Sequence, residues 1–244
     1  MPSSDAHAAA YVFLHSPLLG PSSWRAVARE LAGRGATVAV PDLRPAVSRE
    51  RHATAWIDLA TRAVDDVANH APVADRANVV LVAHSGAGRL VMGAAGSSAV
   101  TAVVLVDAGL PGEATHAEGA PASFRDHLAA LVATTDGVTL PPWPDWWPDD
   151  LLASVLPDPH DRAALAADAP RVVTAFFDEP IPDGARRAPA HVGVAYLCFT
   201  YEREAEEAER RGWPVERFDG GHLHQMVEPR AVASSIARLA AASA

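Results

Sequence analysis

Apolar residues along this chain fall into short unbroken runs, separated by stretches with helical spacing. The runs are Tyr11-Val12-Phe13-Leu14 and residues 37–40, 79–83, 102–106 and 192–199, and a further short strand is expected at 215–218. Consecutive aliphatic and β-branched residues without polar alternation predict strands buried on both faces, as in a parallel sheet covered by helices. The intervening stretches repeat apolar positions every three to four residues and predict helices over 24–34, 53–70, 89–95, 202–211 and 229–241. Gly33 and Gly35 mark the end of the first of these. Strands alternating with helices give the expected fold class: α/β, with a mostly parallel central sheet and helices on both faces.

The alternation breaks down between residues 112 and 190. Prolines crowd this stretch, and Trp143, Trp146 and Trp147 lie within five positions of one another. Short helices are predicted over 123–133, 149–156 and 161–167. The segment reads as a helical lid, residues 112–190, inserted into one domain spanning 10–244 whose core is 10–111 and 191–244. Residues 1–9 are small and polar and predict a loose end. No internal repeat is visible.

The run Val79 to Ala83 leads straight into His84-Ser85-Gly86-Ala87-Gly88. A serine on so tight a strand-to-helix turn has its hydroxyl forced out of the sheet. The next peptide N–H, that of Gly86, then points at whatever the hydroxyl attacks. Alanines, Ala83 and Ala87, stand where glycines flank the serine in the G-x-S-x-G pattern.

A serine hydroxyl is a weak nucleophile until a base takes its proton, and the base needs an acid to orient it. His222, in Gly220-Gly221-His222 after the last strand, is the expected base, with His224 as its competitor. Glu202, after the run 192–199, is the expected acid. Asp107, after the preceding strand, is the alternative. Asp219 lies in the same loop as the base, and Glu204 belongs to a charged helix face. His84 and the three lid tryptophans are expected to line the substrate pocket.

The order Ser85, acid, His222 on a parallel α/β sheet resembles the α/β-hydrolase fold family, and the resemblance runs over nearly the whole chain from Tyr11. Ala83 to Ala87, Gly220-Gly221-His222, Thr200-Tyr201-Glu202, and His15-Ser16-Pro17 followed by Trp24 carry it. Size and strand ends are more narrowly similar to the plant methylesterase and hydroxynitrile-lyase branch. The resemblance implies a second oxyanion N–H from the loop after the first strand, usually His-Gly-x. Here that loop reads His15-Ser16-Pro17, and proline has no N–H to give. The Ser16 hydroxyl or the Leu18 N–H is the expected substitute. The lysine that hydroxynitrile lyases carry after their histidine is Leu223 here, which argues against cyanohydrin cleavage.

Composition narrows the chemistry further. The net charge is −10 and no basic stripe is visible, which disfavours nucleic acid, anionic membranes and polyanionic substrates. All 20 basic residues are arginine, so Schiff-base and P-loop lysine chemistry is excluded. Cys198 is the one cysteine, so no internal disulfide forms. His222-x-His224 lacks a third ligand nearby, so no metal is expected, nor any cofactor. No signal-peptide pattern or membrane-length apolar run is present, which predicts a cytoplasmic protein.

The expected activity is hydrolysis of an ester, thioester or lactone of a small, largely apolar substrate. The alternatives are a lyase or cyclase using the Ser–His pair as base, and a ligand-binding protein on a hydrolase scaffold. The expected partner is a small-molecule substrate. Oligomeric state stays open, with a homodimer among the options.

Overall fold

A computed structural model of the chain describes residues 9–48, 52–72, 76, 78–112 and 122–243. Most of the expected loose end (residues 1–8) and residues 113–121 of the expected lid lie outside these residues. Six strands form one sheet: β1 (Ala10–Leu14), β2 (Val38–Ala39), β3 (Val79–His84), β4 (Val100–Val106), β5 (Gly193–Cys198) and β6 (Val215–Arg217). Their order is β2-β1-β3-β4-β5-β6, and every neighbouring pair is parallel.

The unbroken apolar runs have the physical meaning expected of them. In β1, Val12 and Leu14 face one side of the sheet while Tyr11 and Phe13 face the other. In β3, Leu81 and Ala83 oppose Val80 and Val82 in the same way. One side is covered by α2 (His52–His70) and α3 (Val91–Ala94), and the other by α1 (Ser22–Ala32) and α9 (Pro229–Ser243). Trp56 anchors the first layer and Trp24 the second, both fully buried. The indole N–H of Trp24 donates to the Leu14 carbonyl at 3.2 Å, so its burial leaves no orphan donor.

The helix predicted over 89–95 is shorter in the structure. A 3₁₀ turn, Ser85–Arg89, is followed by the single turn of α3. Gly93 sits where a Cβ would press on Ile57 of α2, and the chain then turns into β4 at Val100. The remaining elements are α4 (Ala122–Val132), α5 (Asp149–Val155), α6 (Pro159–Asp168), α7 (Glu202–Arg210) and α8 (His224–Val227).

The segment between β4 and β5 is fastened to the core through helix N-termini. Pro21 provides no side-chain cap for α1. Asp168, at the end of α6, supplies one instead, accepting from the Ser22 amide at 2.8 Å and the Ser22 hydroxyl at 2.6 Å. Gly20 is required beside it, because a Cβ there would collide with the Asp168 carboxyl. Glu179 accepts from the Ala53 amide in the first turn of α2 at 3.1 Å. Both carboxylates sit at the positive end of a helix dipole, where negative charge is stabilising. Replacing Asp168 with alanine is expected to cost about 1.5–3 kcal/mol, the range for hydrogen bonds to a charged group. Urea titration reads this as a lower midpoint; an unchanged midpoint would show that the clasp contributes nothing.

Candidate active site

Ser16, Ser85, Asp107 and Thr200 follow the C-terminal ends of β1, β3, β4 and β5, the edge where parallel α/β sheets place their sites. Ser85 is a non-glycine residue in the left-handed region, at φ 57°. Such a conformation costs about 1–3 kcal/mol and persists only where surrounding structure imposes it. Here the Gly109 amide donates to the Ser85 carbonyl at 3.0 Å. Gly88 allows this approach, since a Cβ there would strike the Gly109 carbonyl. Ala83 and Ala87 are fully buried, so the turn accommodates a methyl group at both flanking positions.

His222 lies in the loop between β6 and α8. Its Nδ1 is 2.6 Å from Asp107 Oδ2. An ionised carboxylate only accepts, so Nδ1 carries the proton and, in the neutral ring, Nε2 is the basic nitrogen. Asp107 is fully buried and takes further hydrogen bonds from the amides of Phe199, Thr200 and Tyr201 at 2.7–2.9 Å and from the Thr200 hydroxyl at 2.6 Å. Burial alone would raise its pKa. The bonds from His222 and Thr200 outweigh burial and hold the carboxyl far below the usual range.

Glu202, the acid expected from the sequence, does not meet His222. It is exposed and pairs with Arg217 at 2.8 Å, while its other oxygen accepts from Cys198 Sγ at 3.7 Å. Its backbone opens α7, which carries the side chain away from the strand ends. Asp219 is exposed. His224 opens α8 and packs on Phe199 and Phe218, with ring centroids 5.2 and 5.5 Å away. Asp107 therefore meets His222 and not His224.

His84 is also placed differently from expectation. It is fully buried and does not line the cavity. Its Nε2 is 2.9 Å from the His222 carbonyl, so Nε2 carries the proton and donates, and the ring lies 4.6 Å from that of His222. Burial, with the neighbouring His222, lowers its pKa to about 3, so it is a neutral brace behind the histidine loop. His15 plays a similar part in the first loop. The Leu43 amide donates to its Nε2 at 3.0 Å, which leaves Nδ1 to donate to the Ser16 carbonyl at 2.9 Å. Leu223 is buried with Leu19, Leu156, Leu165 and Met226, and this cluster pins the histidine loop to α5 and α6. Burial pushes the Cys198 thiol up to about 12, so it offers no competing thiolate.

A cavity of about 530 Å³ opens above Ser85. Ser16, Pro17 and Leu18 line it from the loop after β1 and Gly86 from the turn after β3; Thr200 and Tyr201 line it after β5, and His222 after β6. Trp143, Trp146, Trp147, Phe176 and Phe177 form an apolar wall contributed by the segment between β4 and β5. The Leu18 amide is turned onto Ser16 Oγ at 3.3 Å. A larger but open hollow, about 680 Å³, lies between α1 and α9 and contains none of these groups. Among the described residues, no group of three or more His, Cys, Asp or Glu is placed to hold a metal ion, and no helix is long and apolar enough to cross a membrane.

Asp107, the alternative acid, is the carboxylate that meets His222. One signal for it is present in the sequence: it follows the apolar run 102–106 and precedes Ala108-Gly109, with no basic residue close by along the chain. Asp107 itself stands at φ 43°, a second left-handed residue at a strand end.

The Asp107 pKa shift has a stability consequence. A carboxyl whose folded pKa is depressed stabilises the fold above its unfolded pKa of about 3.9 and loses that contribution as pH falls toward the folded value. Urea unfolding should therefore show Asp107→Asn clearly less stable than the parent at pH 7, with the gap narrowing below about pH 4. A gap independent of pH would contradict the assignment.

Comparison with known proteins agrees with this architecture. A family model described as "Alpha/beta hydrolase family" matches residues 11–235. No curated protein sequence matches the chain. Among solved structures, an extracellular α/β-hydrolase from a Paenibacillus species superposes with a TM-score of 0.71 at 16% identity, covering 95% of this chain and 98% of that one. It is described as sharing structural and functional homology with tobacco salicylic acid binding protein 2. Tomato methylketone synthase I, complexed with 2-tridecanone, gives 0.68 at 15% identity, covering 97% and 99%. A pyrethroid hydrolase from Sphingobium faniae gives 0.65 at 19% identity, covering 96% and 98%. These likenesses are likenesses of fold. The family match spans nearly all of the chain, and the chain belongs to the α/β hydrolase family.

Proposed function

We propose that the protein is a serine hydrolase that cleaves a carboxylic ester, thioester or lactone of a small, largely apolar acid. The observation that carries this reading is the Asp107–His222 hydrogen bond, beside a serine held in a strained turn and opening onto the same cavity. Ser85 Oγ attacks the carbonyl carbon while His222 Nε2 takes its proton. Asp107 holds the imidazole in the required tautomer and stabilises its charge. His222 then returns the proton to the leaving oxygen (sulfur for a thioester), and a water activated by the same nitrogen releases the acid.

The Gly86 N–H belongs to the first turn of the 3₁₀ segment, where amides have no partner within the turn. It is one oxyanion donor. Pro17 has no N–H, and the Leu18 amide is already directed at Ser16 Oγ. The Ser16 hydroxyl, which accepts from Leu18 and keeps its own proton to donate, is the second. The aromatic wall suits an apolar acyl group, and the cavity volume limits the substrate to a small molecule. No observation favours the lyase, cyclase or ligand-binding alternatives over this reading.

A fluorophosphonate probe and p-nitrophenyl esters test it. Ser85→Ala is expected to abolish both labelling and turnover. Asp107→Asn is expected to lower kcat by about 10⁴. Glu202→Gln, at an exposed ion pair, is expected to stay within about threefold of the parent. Ser16→Ala is expected to lose about 10²–10³ in kcat. Retained turnover in Ser85→Ala, or equal losses in Asp107→Asn and Glu202→Gln, would overturn the assignment.

A further inference from the structure

Tyr201 touches two members of the proposed triad and shares the cavity with the third. Its backbone amide donates to Asp107 at 2.8 Å. Its ring stacks on the His222 imidazole, with centroids 5.1 Å apart and planes 14° from parallel. Its side chain lines the cavity together with Ser85.

The sheet order says which side of the reacting carbonyl this phenol occupies. β3, which presents Ser85, has β1 on one side and β4 followed by β5 on the other. The oxyanion candidate Ser16 follows β1, and Gly86 follows Ser85 in the turn after β3. Tyr201 follows β5 and therefore lies on the His222 side, where the leaving group departs. Thr200 also lies there, but its hydroxyl already donates to Asp107. The phenol thus brings a hydroxyl to that side which Asp107 does not already hold.

We propose, on the basis of the hydrolase reading above, that Tyr201 is a further catalytic residue whose phenol donates a hydrogen bond to the leaving-group oxygen. The tetrahedral intermediate collapses by breaking its bond to that oxygen, which keeps the electron pair. His222 Nε2 delivers the proton. Tyr201 retains its own proton and stabilises the developing alkoxide until the transfer is complete. Burial and the nearby Asp107 raise the phenol pKa, so the group stays a donor throughout the working pH range. The arrangement favours substrates with a poor, alkoxide-type leaving group.

Tyr201→Phe removes the hydroxyl while keeping the stacked ring and the backbone amide. The test compares kcat/KM for an ethyl ester and a p-nitrophenyl ester of the same acid. Nitrophenolate leaves without needing a proton; ethoxide does not. The variant is expected to lose about 10- to 100-fold on the ethyl ester and to change little on the p-nitrophenyl ester. An equal loss on both esters, as from a purely structural role, or no loss on either, would overturn the proposal. Parent turnover of the p-nitrophenyl ester that disappears in Ser85→Ala supports the hydrolase reading independently of Tyr201. A parent inactive on both esters would overturn the two together.

Discussion

The buried carboxylate of Asp107 is the interaction on which the site depends. A charge taken out of water is costly unless it is paired and hydrogen-bonded on every side. Asp107 meets that condition only when three segments arrive together: the turn after β4, the Phe199–Tyr201 backbone after β5, and the histidine loop after β6. The same bonds that compensate its burial fix His222 in the tautomer a general base needs. Stability and chemistry are thus coupled at one group, and each strand end is held partly by what it contributes to the next.

Around that group, histidines act as structural braces. His15 ties the loop after β1 to Leu43, and His84 ties the end of β3 to the His222 carbonyl. Both are buried, and burial lowers both pKa values, so they remain neutral and their hydrogen-bond directions stay fixed. The segment between β4 and β5 is held differently, by Asp168 and Glu179 on the N-termini of two core helices. It brings the aromatic wall over Ser85 and leaves the triad groups to the core. Under the proposed function, substrate preference and catalytic machinery therefore reside in separate parts of the chain.

The fold was largely legible in the sequence because strands buried on both faces leave an unambiguous trace: unbroken runs such as Val79 to Ala83. The turns that carry Ser85 and His222 were legible because they are local, glycine- and alanine-rich features. The carboxylate that meets His222 was not. Asp107 and Glu202 both follow strands, and sequence position alone cannot distinguish a carboxylate buried under three converging amides from one turned outward to Arg217. The position of Tyr201 was not legible for the same reason, since it rests on contacts with Asp107 and His222, residues distant along the chain. His84 was expected in the pocket because it precedes the nucleophile. Side chains alternate along a strand, so the last residue of β3 turns to the face opposite to Ala83, toward Trp24 and His222.

The most direct measurement of the central claim is proton NMR of the imidazole N–H in the folded protein. A short hydrogen bond from His222 Nδ1 to a buried carboxylate should give a low-field resonance that is present in the parent and in Glu202→Gln and is lost or shifted upfield in Asp107→Asn. A resonance that survives in Asp107→Asn but vanishes in Glu202→Gln would contradict the account.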